Sequence, residues 1–140
     1  MEYYFDSEEF KESAIYKNFI SINNAKGLLK IEASTASGAY PLKDVDIVIS
    51  KMIDGSKIIF FKGKTNDSGV IESIVLPTRE VKNEVNDASD ILYTTYDLEA
   101  IDNEYGLSKN YNVSIFDNVK VIQPVTFTIN ELMDGEEIGR

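Results

Sequence analysis

The 140 residues include no cysteine, no histidine and no tryptophan. Without cysteine there is no disulfide framework, thiolate nucleophile, iron–sulfur cluster or Cys-based zinc site. Without histidine there is no Ser-His-Asp or Cys-His catalysis and no ordinary zinc or haem site. Arginine is nearly missing as well: only Arg79 and Arg140 stand beside the lysines, so no arginine cluster clamps phosphate or carboxylate. Apolar runs last a few residues, far short of the ~20 that a membrane-spanning helix needs. The opening Met1-Glu2-Tyr3-Tyr4-Phe5-Asp6 has neither the basic nor the apolar region of a secretory signal. These absences predict cytosolic synthesis without membrane insertion. Positive charge is scarce too, with 14 Lys plus Arg against 24 Asp plus Glu and a formal net charge of -10. Such a surface repels phosphate backbones, which argues against nucleic acid as a partner.

What is present is enough chain for about one domain with a single core. Residues 6–19 predict one short amphipathic helix. Asp6 or Ser7 can cap it, Glu8 and Glu9 suit the positive end of its dipole, and Phe10, Ala14 and Ile15 fall at helical spacing. From Gly27 onward the period becomes two. Leu29, Ile31 and Ala33 mark a first strand, and Val45, Ile47 and Ile49 a second. Asp54-Gly55 is the best hairpin signal, leading into a third strand at Ile58–Phe61. Asn66-Asp67-Ser68-Gly69 predicts a turn, with Asp67 bonding its own backbone, before a fourth strand at Val70–Leu76. Residues 78–92 are polar and long for a loop. Tyr93–Ile101, Asn110–Phe116 and Lys120–Ile129 complete seven strands, which argue for an antiparallel β-sandwich. The division expected is a helical segment at 1–26, a sandwich at 27–130 and a flexible acidic tail at 131–140.

The order of these pieces carries a resemblance. Gly27 to Thr35 runs into Ala36-Ser37-Gly38-Ala39-Tyr40-Pro41-Leu42, followed by Val45-Asp46-Ile47-Val48-Ile49, Thr65-Asn66-Asp67-Ser68-Gly69 and Ile74-Val75-Leu76-Pro77. The ending, Ile115-Phe116-Asp117 through Ile122-Gln123-Pro124-Val125, is the most specific part. Together they resemble the carboxypeptidase-regulatory-like, transthyretin-like β-sandwich, in the version found in Firmicutes spore, peptidoglycan-binding and cell-envelope proteins. The resemblance spans roughly residues 27–130. It implies a seven-stranded sandwich that is not an enzyme, takes no cofactor and acts as an accessory or interaction module. The N-terminal helix and the 78–92 loop depart from the family pattern. The hydroxyisourate hydrolase branch of the fold relies on histidine, so that chemistry is not expected.

Four candidate chemistries remain. Lys30, Glu99 and Asn130 stand in the order of an intramolecular isopeptide bond. Strand parity turns all three away from the core, whereas the bond needs them buried together. Asp44, Asp46, Asn66, Asp67, Asn86, Asp87, Asp90, Asp102, Asn103 and Glu104 offer oxygen ligands for calcium. They lack EF-hand spacing and read as solvated acidic loops, so no metal is expected. Carboxylate pairs for glycoside hydrolysis need a cleft that small sandwiches seldom have. Tyr93, Tyr96, Tyr105 and Tyr111 could form aromatic platforms, with Tyr96 read as inward.

The function expected is therefore a structural or interaction module of a larger bacterial assembly. A spore or envelope-associated layer, or a phage-tail-like particle, would suit it. Tyr3, Tyr4, Phe5, Phe10, Ala14 and Ile15 are the expected contact residues, toward another protein or a second copy of the chain. The alternative is a carbohydrate- or peptidoglycan-binding accessory module using the 78–92 loop and outward tyrosines. The expected core is Leu29, Ile31, Val45, Ile47, Ile49, Ile74, Leu76, Leu98, Val113, Ile115, Val125 and Phe127.

Overall fold

The structure, a computed structural model, describes residues 2–35, 40–81 and 92–128. Most of the polar loop, Asn130 and the acidic tail lie outside the described residues. The elements run β1 (Glu2–Tyr4), α1 (Glu8–Lys11), α2 (Ala14–Ile22), β2 (Ala25–Thr35), β3 (Asp46–Ile53) and β4 (Ser56–Lys64). They continue with β5 (Val70–Thr78), β6 (Thr94–Asp102), β7 (Leu107–Ile115) and β8 (Lys120–Phe127). Two sheets form, a five-stranded one in the order β1-β4-β3-β6-β7 and a three-stranded one in the order β5-β2-β8. The protein is a mainly β two-sheet sandwich, as the sequence pattern indicated.

Three details correct the sequence reading. An eighth strand, β1, is added where an N-terminal lead-in to the helix was expected. The sheets are not wholly antiparallel, because β1 runs parallel to β4 and β2 runs parallel to β8. The single helix is two. Ser7 Oγ accepts from the Phe10 N–H, and Ser13 Oγ accepts from the Tyr16 N–H, so each serine caps its own helix. A second N-cap inside one periodic stretch ends the first helix and starts the next, because a capping residue takes extended backbone.

Turn chemistry sets the registers. Asp54 and Gly55 both take positive φ, at 50° and 81°, closing a two-residue hairpin that pairs Ile53 with Ser56. This is the primed turn that matches strand twist. In the next turn Asn66, not Asp67, does the bonding: its Oδ1 accepts from the N–H groups of Ser68 and Val70 at 2.9 and 3.0 Å. Gly69 closes it with φ of 77°, and a Cβ there would sit 2.3 Å from the Ala33 carbonyl oxygen, so only glycine fits.

All twelve residues of the expected core are buried. They come from alternate positions of β2, β3 and its lead-in, β5, β6, β7 and β8. Fully burying such side chains contributes roughly 1.5–3 kcal/mol each before chain entropy is set against it. Phe10, Phe19, Ala33, Ile58, Ile59, Tyr96 and Ala100 are also buried.

The two helices join the sandwich through aromatic rings. Phe5 stacks on Phe60 at 4.4 Å, and Phe60 meets Tyr96 edge-on at 4.9 Å. Phe5 also touches Phe10, Tyr16 and Phe19, while Tyr3 stacks on Phe10. Phe60 can reach these rings because β4 carries one residue more than β3 between Ile49 and Ser50, a bulge that bends the strand and re-aims a side chain.

Candidate binding groove beside the second helix

One residue on each side, Asn23 and Thr94, anchors α2 against the start of β6. Asn23 ends the helix, and its backbone N–H and side-chain Nδ2 both donate to the Phe19 carbonyl, at 2.8 and 3.0 Å. Its Oδ1 accepts a short hydrogen bond from the Thr94 hydroxyl in a buried position. A buried amide–hydroxyl pair of this kind is costly to break, because either partner alone would be left without solvent.

This anchoring leaves a groove of about 570 Å³ between α2, the β3–β4 hairpin and the start of β6. Ile15, Asn18 and Ile22 of α2 form one wall, and Met52, Ile53 and Asp54 form the other. Lys51, Thr94 and Thr95 also line it, with Arg79 and Tyr93 at its margin. Ile22 is 46% exposed, Met52 57% and Tyr93 49%. Three of the large exposed apolar side chains thus gather around one depression.

Lys51 is the unusual residue. It follows Ile47 and Ile49 at the inward parity of β3, and it is only partly exposed. Its Nζ donates to the Thr95 carbonyl at 2.8 Å and lies 5.7 Å from the centroid of the Tyr96 ring. Burial holds its pKa below the ordinary lysine value; the charge of Asp97 opposes this, and that of Arg79 adds to it. Among the described residues no carboxylate is within ion-pair distance of Lys51 or Arg79. Elsewhere charges pair on the surface: Lys64 with Asp46 at 2.7 Å, and Lys120 and Lys30 with Glu72.

The residues expected to meet a partner separate in space. Phe10 is 2% exposed and packs on Tyr3, Phe5 and Tyr16, so it holds the helices to the sheet and offers no surface. Phe5 is half-buried in the same aromatic cluster. Tyr4 points outward from β1, with Lys62 Nζ 5.5 Å from its ring centroid, and Ala14 is exposed. Ile15 alone of the six lines the groove. Helical spacing grouped Phe10 with Ala14 and Ile15, but the break at Ser13 separates them. Lys51, Ile22, Met52 and Arg79 were not foreseen. The legible signal was parity: a lysine at an inward strand position, two residues after Ile49 and two before Ile53.

The other candidates are placed as follows. Lys30 lies on the outer face of β2, with Glu32 at 3.3 Å and Glu72 at 3.9 Å. Glu99 is outward on β6, accepting weakly from Ser108 Oγ, and Asn130 lies outside the described residues. Among the described residues no cluster of three or more metal-ligating side chains forms. Asp46 is held instead by Lys64 and Asn103, and Asp102 accepts from the Glu104 N–H. Tyr96 points inward, and its hydroxyl donates to the Pro77 carbonyl of the facing sheet at 2.5 Å. Tyr93 is at the groove, Tyr105 is exposed, and the Tyr111 hydroxyl accepts from the Thr126 N–H of β8. Among the described residues no helix is long and apolar enough to cross a membrane.

No protein-family model matches the chain, and no curated protein matches it. Among solved structures it is similar to 5-hydroxyisourate hydrolase from Klebsiella pneumoniae, at 14% identity and a TM-score of 0.43, over 72% of this chain and 92% of that one. It is also similar to transthyretin from Sparus aurata, at 14% identity and a TM-score of 0.42, over 71% of this chain and 91% of that one. The first of these is an enzyme, which corrects the expectation that a chain of this build is not one. A small sandwich does not by itself exclude catalysis, because chemistry belongs to sites placed on a fold and not to the fold.

Proposed function

We infer that the chain is a protein-interaction module of a larger bacterial assembly, seated on its partner through the groove beside α2. A spore or envelope-associated layer and a phage-tail-like particle are the settings that suit such a module. The observation that carries this reading is the gathering of Ile22, Met52 and Tyr93, all exposed, around one groove. Single exposed apolar residues are ordinary on any surface, whereas a cluster framed by polar groups marks an interaction site. Burying such a cluster contributes roughly 25 cal/mol per Å² of apolar area removed from water.

A photo-crosslinking amino acid at position 52, introduced in the source cell, tests this directly. The same probe at position 75 serves as control, since Val75 is 56% exposed on the other sheet. Position 52 is expected to give one defined protein adduct and position 75 none. Matching adducts from both positions, or none from position 52, would reject the groove as the contact.

A further inference from the structure

The groove joins two chemistries on an otherwise acidic chain, positive charge and apolar surface. Its base carries Lys51, and Arg79 stands close enough for its charge to act on that ammonium. Its walls are the aliphatic side chains of Ile15, Ile22 and Met52. Asp54 is the one carboxylate among its described lining residues, and it sits on the hairpin turn at the exposed end. An ammonium has three donors, and Lys51 commits one to the Thr95 carbonyl. The guanidinium of Arg79 adds a planar fork suited to a carboxylate.

This inference rests on the groove being the partner site and adds the chemistry of what enters it. We propose that the inserted element is an acidic–apolar peptide segment of the partner. One carboxylate is held by Lys51 and Arg79, and flanking aliphatic side chains lie on Ile15, Ile22 and Met52. A peptide fits better than a small molecule because the apolar rim stays exposed on both walls, at Ile22 and at Met52. A compact ligand at the base would leave that rim in water, whereas a chain segment crossing the groove covers it. The acidic remainder of the chain repels such a segment at long range, but physiological salt screens that repulsion beyond about 8 Å. Within the groove the carboxylate meets Lys51, which is partly buried, where charge-assisted bonds are stronger than in open water, and the exposed Arg79 adds its donors from the margin.

The test is a residue-resolved NMR titration of the full, isotope-labelled chain with acetyl-Leu-Glu-Leu-amide, compared with acetyl-Leu-Gln-Leu-amide. The glutamate peptide is expected to shift Lys51, Met52 and Thr95 saturably and to bind about tenfold tighter than the glutamine peptide, the scale of one charge-assisted contact. Lys51→Met is expected to abolish that preference while the rest of the spectrum stays native. Should Lys51→Met disturb packing, Arg79→Gln reads the same preference from the rim. Equal binding of the two peptides, shifts outside the groove, or no saturation would overturn the proposal. Each of those results leaves the crosslink from position 52 intact, because contact is read there whatever the charge. Loss of that crosslink would instead reject the partner reading itself.

Discussion

The middle of the sandwich is buried and its helix-covered end is buried in part, and the two are built from different side chains under different rules. The middle is aliphatic: Leu29, Ile31, Ile47, Leu98, Ile115 and Val125 come from strands at every second position. The end is aromatic, with Tyr3, Phe5, Phe10, Tyr16, Phe19 and Phe60 running in ring contacts to Tyr96. Branched aliphatic side chains pack well on a regular pleat. Rings tolerate irregular approach, since offset and edge-on pairs are both favourable and add about 0.5–1.5 kcal/mol each beyond area. The end of this sandwich is irregular in just that way, with two short helices, a three-residue parallel edge strand and a bulge. The difference teaches that the helical segment is sealed to its own sheet by shape-tolerant contacts and leaves flanks uncovered, the groove among them.

The largest expected effects compare the two regions. Phe19→Ala removes a ring that touches Phe5 and Phe60, and should cost about 3–5 kcal/mol. Leu98→Ala, in the aliphatic middle, should cost about 2–5 kcal/mol. Urea unfolding followed by circular dichroism and by tyrosine fluorescence should give one shared transition for each variant. A transition of the helices separate from that of the sheets would break the comparison, because the two regions would then not be one cooperative unit.

Tyr96 belongs to both regions, so Tyr96→Phe sharpens it. Losing the hydrogen bond to the partly buried Pro77 carbonyl should cost about 0.5–1.5 kcal/mol near neutral pH. Burial also holds the Tyr96 phenol protonated well above its ordinary value of 10.0. The folded form therefore keeps a proton that the unfolded chain releases. Its contribution is complete below that ordinary value and is lost as pH rises above it. Thermal melts across the alkaline range should show a steeper fall for the natural chain than for Tyr96→Phe.

The smallest effect lies outside both regions. Hydrogen bonds from Lys64, first, and from Asn103 hold the Asp46 carboxyl below its ordinary 3.8. A lowered folded pKa gives stability that is present above that value and is lost as pH falls through the folded one. Asp46→Asn should cost about 0–1 kcal/mol at neutral pH, as surface pairs do, and nothing once both forms are protonated in acid. Melting temperatures of the two proteins converging on the acid side would confirm it.

How much could be read beforehand follows the same division. Period two exposed most of the aliphatic middle, because a half-buried strand must alternate, but not Ile58 and Ile59, which are both buried although they are neighbours in β4. Asp54-Gly55 was legible because a two-residue hairpin demands left-handed backbone at both positions. The aromatic end was not. Ser13 looked like one more polar position on a helix, and only its cap geometry shows that a second helix begins there. Phe60 could not be placed without the bulge, and β1 is too short to show a period. Of the expected contact residues only Ile15 reaches the groove, because the surface arises where helix, hairpin and β6 meet. Ile15 was legible from helical spacing, Tyr93 as a candidate aromatic platform and Lys51 from its inward parity, and the rest of the groove is tertiary.

The claim most open to a direct test is that α2 is part of the same folded unit as the sandwich and so forms a fixed groove wall. Residue-resolved hydrogen exchange of the full chain measures this. The amides of Phe19 and Asn23, whose carbonyl and side-chain partners tie α2 to Thr94, should open with nearly the same free energy as those of Tyr96 and Leu98 in β6. Exchange at Phe19 and Asn23 with little protection, while Tyr96 and Leu98 remain fully protected, would contradict the account.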